Sequence, residues 1–98
     1  KVTIFRMALI KGQNNFNYES VAEWNKAFDL IEGEVKRVAQ AEGQEQQAHL
    51  LTRLALILHG TGHYFSTGLD LVAINQRPEP SEFLANHFHP LLGRLLTL

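Results

Sequence analysis

Apolar residues recur at Val21, Trp24, Phe28, Ile31, Val35 and Val38, alternately three and four positions apart. That spacing places all six on one face of an α-helix, with Glu23, Lys26, Glu34 and Lys36 opposite. Asn17 is suited to cap this helix where it begins near Tyr18, and Glu19 in the first turn suits its positive end. Gly33 lies inside the helix, where glycine costs roughly 1 kcal/mol relative to alanine. The stripe is short for a coiled-coil seam, so packing against a sheet is predicted.

Two strand-like runs flank the helix. Val2–Ile10 is β-branched and apolar, and Arg6 within it predicts one partly wet face. Leu54–Leu58 is a continuous apolar run, the pattern of a strand covered on both faces. Strand, helix and strand together predict a βαβ-like unit and an α/β fold class. Lys11–Asn15 has the composition of a loop, and the Gln-rich stretch 41–48 that of a solvated connector. Further on, Gly60, Gly62 and Gly68 fall within nine residues. Such a run either turns the chain tightly or brings main-chain N–H groups up to a ligand. Leu71–Asn75 predicts a short helical turn, and 76–80 a proline-fixed loop. Ser81 is a candidate cap for a last helix with Glu82 in its first turn. Phe83, Leu84, His87, Phe88, Leu91, Leu92, Leu95 and Leu96 give that helix a broad apolar face. Pro90 predicts a kink or break near His89.

Composition narrows the functional classes. Ninety-eight residues make one small domain. A net charge of −1 with no basic stripe argues against a nucleic-acid partner. With no cysteine, disulfides and Cys-ligated metals are excluded. No apolar run approaches the ~18 residues of a membrane span. The apolar end, Leu91–Leu98, predicts that the parent chain continues or that another chain covers it.

Most candidate chemistries fail on residue identity. His59 and His63 are separated by glycines, and His87 and His89 would face different sides of a helix, so no metal site is predicted. Gly60-Thr-Gly62 would need a third glycine at position 65 for a dinucleotide fingerprint, and that residue is Phe65. Gly68 is followed by Leu69, not by the Lys of a phosphate loop. Ser66 lacks the Gly-x-Ser-x-Gly frame of a nucleophile elbow, because residue 64 is Tyr64. What remains is main-chain chemistry: the amide of Leu69, just before a helix start capped by Asp70, is placed to donate to an oxyanion. The same residues also serve simply to turn and cap the chain.

The stretch Leu56-Ile-Leu-His-Gly-Thr-Gly-His-Tyr-Phe-Ser-Thr-Gly-Leu-Asp-Leu71 resembles the signature of the crotonase superfamily, the enoyl-CoA hydratases and isomerases. That signature is an apolar strand, a glycine-containing turn, then Phe-Ser-x-Gly-x-Asp-Leu. Asn14-Asn-Phe-Asn17 resembles the family's Asn-x-Leu segment, and Leu91–Leu98 looks like the helix that precedes its next strand. The Phe-Ser-Thr-Gly-Leu-Asp-Leu variant is most similar to the enoyl-CoA delta isomerases, peroxisomal-type members included. The compartment stays open between peroxisome, mitochondrion and cytoplasm, with the first favoured.

The resemblance implies one partial crotonase-like domain over residues 1–98, the N-terminal part of a ββα-repeat fold. It implies that the Leu69 N–H is one of two donors to a thioester oxygen. Ser66, Thr67 and Gly68 would line the coenzyme A path, and Asn15 and Phe16 would border the pantetheine or adenine end. Phe88 is expected in the core or facing the acyl pocket. Coenzyme A would enter as part of the substrate, with no further cofactor and no metal, and the parent would be a homo-oligomer. The second donor and the proton-transferring glutamates lie, in the family, beyond the counterpart of Leu98. The resemblance therefore implies the N-terminal part of an isomerase, inactive alone. A hydratase fragment, or a non-catalytic acyl-CoA-binding or interaction module, are the alternatives.

Overall fold

The computed structural model describes residues 3–41 and 54–97. Strand β1 (Thr3–Leu9) leads through a loop to helix α1 (Tyr18–Ala41), and strand β2 (Leu54–Gly60) follows. The strands pair in parallel, from Thr3 opposite Leu54 to Leu9 opposite Gly60. This is the predicted βαβ arrangement, since parallel neighbours require a crossover and α1 supplies it. The fold is thus mixed α/β with a two-stranded parallel sheet.

The helix begins as its sequence predicts. Asn17 Oδ1 accepts from the Ser20 N–H at 2.9 Å, and Ser20 Oγ accepts from the Asn17 N–H at 2.9 Å. This is a reciprocal capping box that satisfies two otherwise orphaned donors. Val21, Trp24 and Phe28 are buried, and Ile31, Val35 and Val38 are half-buried along the same stripe.

After β2 come α2 (Leu71–Asn75), α3 (Pro80–Phe83), a π-helical turn (Leu84–Phe88) and α4 (His89–Thr97). Ile74, Phe83 and Leu91 from these elements close over Trp24 and Phe28. The aromatic rings pack edge-on or tilted: Trp24 on Phe28 at 5.8 Å, Phe16 on Phe88 at 5.1 Å and on Trp24 at 5.6 Å.

Three expectations are corrected. First, β2 is covered on one face only. Leu56 and Leu58 pack toward α1, but Ala55 is exposed and Ile57 is 47% exposed. Ile4, 58% exposed, and Arg6 share that outer face on β1. A continuous apolar run suits burial on both sides, yet among the described residues the outer face of the sheet is left open.

Second, Ser81 does not cap the last helical run. Glu79 is the capping residue, Pro80 takes the first helical position, and Ser81 lies inside the first turn. Proline is favoured there because its missing N–H has no intrahelical partner to lose.

Third, of the kink or break expected near His89, the break is absent: helical backbone continues through Pro90. The preceding turn widens, so that the His89 N–H donates to the Leu84 carbonyl five residues back. Proline cannot donate to Asn86 and its ring crowds that carbonyl, and a π turn absorbs both problems while the helix continues. The Gln-rich connector expected at 41–48 lies, beyond Ala41, outside the described residues.

Candidate functional site

Beyond Leu9 and Gly60 the two parallel chains separate into loops, then meet again. Phe16 and Leu69 form an isolated parallel bridge. The Phe16 N–H donates to the Gly68 carbonyl at 2.8 Å, and the Asp70 N–H donates to the Phe16 carbonyl at 2.9 Å. A parallel bridge of this kind uses both backbone groups of one residue and neither of the other. Here Phe16 is the residue used. The N–H of Leu69 points away from the bridge, and among the described residues it donates to no protein group.

The neighbouring amides are engaged. The Thr67 N–H donates to the Gln13 carbonyl at 3.0 Å, and the Gly68 N–H to Ser66 Oγ at 3.0 Å. Of the amides at 67–70, Leu69 alone is left with its donor open, among the described residues.

Local chemistry fixes that amide. Gly68 has a φ of +88°, a region that L side chains rarely adopt, and its carbonyl is held by the Phe16 N–H. The Leu69 side chain packs against the core. Asp70 caps α2, its Oδ1 accepting from the Ala73 N–H at 3.1 Å. Its Oδ2 accepts from Asn17 Nδ2 at 3.3 Å, so the caps of α1 and α2 hold each other. Tyr64, Phe65, Leu71 and Val72, which flank this segment in sequence, are exposed apolar residues.

The first glycine turn is built differently. Asn14, with φ +56°, donates from Nδ2 to the Leu9 carbonyl at 3.3 Å and to the Tyr64 carbonyl at 3.4 Å. The Thr61 N–H and hydroxyl both donate to Leu9 O, at 3.2 and 3.1 Å. These contacts pull 60–65 onto the end of β1, with every named donor answered.

The predicted site residues fall into two places. Ser66, Thr67, Gly68 and Leu69 form one continuous segment, joined to Phe16 through its backbone. The Phe16 ring turns inward to Trp24 and Phe88, while its main chain joins the segment. Phe88 packs on Phe16 and Phe83, as a core residue does. Asn15 instead lines a cleft of about 420 Å³ between the end of β1 and the first turns of α1. None of residues 66–69 lines that cleft. Lys11 on its rim pairs with Glu23 at 2.5 Å and Glu19 at 3.7 Å, and the Glu23 bond foremost holds its ammonium charged. A phosphate entering there has to draw Lys11 away from two carboxylates.

The carboxylates are engaged elsewhere. Arg94 of α4 reaches Asp29 at 2.6 Å and Glu32 at 3.3 Å, and donates to Asn25 on the same face of α1. Glu34 pairs with Arg37. Glu82 accepts from the Tyr18 hydroxyl and lies 3.1 Å from His87 Nε2, with Arg77 stacked 4.0 Å over the Tyr18 ring. The Tyr18 hydrogen bond holds the Glu82 carboxyl below the usual carboxylate range, and it raises Tyr18 in turn. Neither cluster was anticipated from sequence. Arg94 inside a leucine run, and Asn25, Asp29 and Glu32 at spacings of four and three, were the available signals.

Among the described residues no group of three potential ligands is placed to hold a metal ion, and no helix is long and apolar enough to cross a membrane. The segment thus offers one N–H donor without an acceptor among the described residues. Compared with known protein families, curated proteins and solved structures, the chain matches none.

Proposed function

We propose that this chain carries one half of the oxyanion hole of an enoyl-CoA isomerase-type protein acting on acyl-CoA thioesters. The observation that supports the reading is the Leu69 N–H, held rigid from both sides and without an acceptor among the described residues.

In the proposed reaction a base removes the C2 proton of a 3-enoyl thioester. The electron pair moves onto the thioester oxygen as an enolate, and the proton returns at C4 to leave the 2-enoyl isomer. A donor fixed before the reaction contributes most where charge develops, on the order of 3 kcal/mol for one well-placed N–H. The base and the second donor come from outside this chain. Among the described residues, the Asp70 carboxylate caps α2 and that of Glu82 accepts from Tyr18. That same engagement favours the second reading, an acyl-CoA-binding module without catalysis.

The test is titration of the 98-residue chain, ¹⁵N-labelled, with a 3-enoyl-CoA bearing ¹³C at the thioester carbonyl. Saturable shifts at the Leu69 amide and the carbonyl, without turnover, are expected. Turnover by this chain alone overturns the assignment of the base to another segment. A folded chain whose Leu69 amide is indifferent to the ligand overturns the reading altogether. If a chain supplemented with the downstream segments binds but does not isomerise, the binding module stands instead.

A further inference from the structure

We draw no further inference here: the strongest candidate, the outer face of the two-stranded sheet, where Ile4, Ala8, Ala55 and Ile57 lie exposed around Arg6, is an apolar surface for which nothing in the structure shows what covers it.

Discussion

Gly60 and Gly68 lie eight residues apart and both bend the chain between β2 and α2, but glycine is needed for a different reason at each. At Gly60 the requirement is space. A Cβ there would collide with the Tyr64 carbonyl oxygen and sit 3.0 Å from Phe65 Cα, because the turn folds its own backbone back onto this residue. At Gly68 the requirement is conformation. A Cβ would meet nothing within 4 Å, but φ is +88°. The first turn is closed by hydrogen bonds from Asn14 and Thr61 to Leu9. The second leaves the Leu69 donor without an acceptor among the described residues. Two glycine-rich turns of similar composition therefore divide into one that completes the fold and one that presents a backbone group.

The largest effect expected follows from that contrast. In Gly60→Ala the clash is with main chain, which cannot swing aside as a flexible side chain can. Unfolding in urea should show a loss of about 3 kcal/mol, in the upper part of the range for single substitutions. Gly68→Ala should lose less, about 1–2 kcal/mol, the cost of placing a Cβ in left-handed backbone. If the two variants unfold with equal losses, or in the reverse order, the distinction between space and conformation is wrong. Acyl-CoA affinity should separate them further, because Gly68→Ala alters the peptide that carries the Leu69 amide.

How much of this could be read from residues alone depended on the range of the forces involved. Local rules worked: Asn17 and Asp70 both cap the helices that the chain pattern assigns them, and the stripe faces the core from Val21 to Ile31. These features depend on neighbours within a few positions. The exposure of Ile57 was not legible, because an apolar run looks the same whether one face is covered or two. The outcome at Pro90 was only half legible. Sequence locates the strain, but whether a helix breaks or widens is decided by packing on either side, and Phe83 and Leu91 are both buried. The Tyr18–Glu82 bond joins residues 64 positions apart, beyond any periodicity. At the candidate site, sequence singled out the Leu69 amide. The Phe16 bridge that leaves it open is a long-range contact that only the fold reveals.

That Tyr18–Glu82 bond bears on the second turn and not on the first. It ties the start of α1 to α3, and Ile74 of α2, which the second turn enters, lies in the same buried cluster as Val21 of α1 and Phe83 of α3. Glu82 titrates below its unfolded value, which lies near 4.3 for a glutamate. Its contribution to stability is therefore present above about pH 4.3 and is lost as pH falls through the lower folded value. Tyr18 is raised, so its contribution is present below about pH 10 and is lost as pH climbs through the higher folded value. Amide exchange should thus speed up at Asp70 and Ile74 in acid, relative to Thr61 in the same sample, after correction for intrinsic rates. Glu82→Gln should remove the acid-dependent difference. Equal acid sensitivity at Thr61 and Ile74 in the unaltered chain, or a difference that survives in Glu82→Gln, would show that the clasp does not act selectively on the second turn.

The smallest effect on stability is the most informative. Replacing a single amide by an ester deletes one N–H and leaves the side chain intact. At Thr61 the deleted donor is bonded to Leu9 O, and the loss should be about 1 kcal/mol, the net worth of an ordinary backbone hydrogen bond. At Leu69 the deleted donor has no acceptor among the described residues, and urea unfolding should shift by less than at Thr61, the remaining loss coming from the weaker ester carbonyl of Gly68 that accepts the Phe16 N–H. Acyl-CoA titration should invert this order. The Leu69 ester should weaken binding, while the Thr61 ester, measured where it remains folded, should leave it nearly unchanged. A Leu69 ester that unfolds as readily as the Thr61 ester means that its amide has a structural partner. A Leu69 ester that is stable and binds acyl-CoA normally means that the open donor plays no part in recognising the thioester.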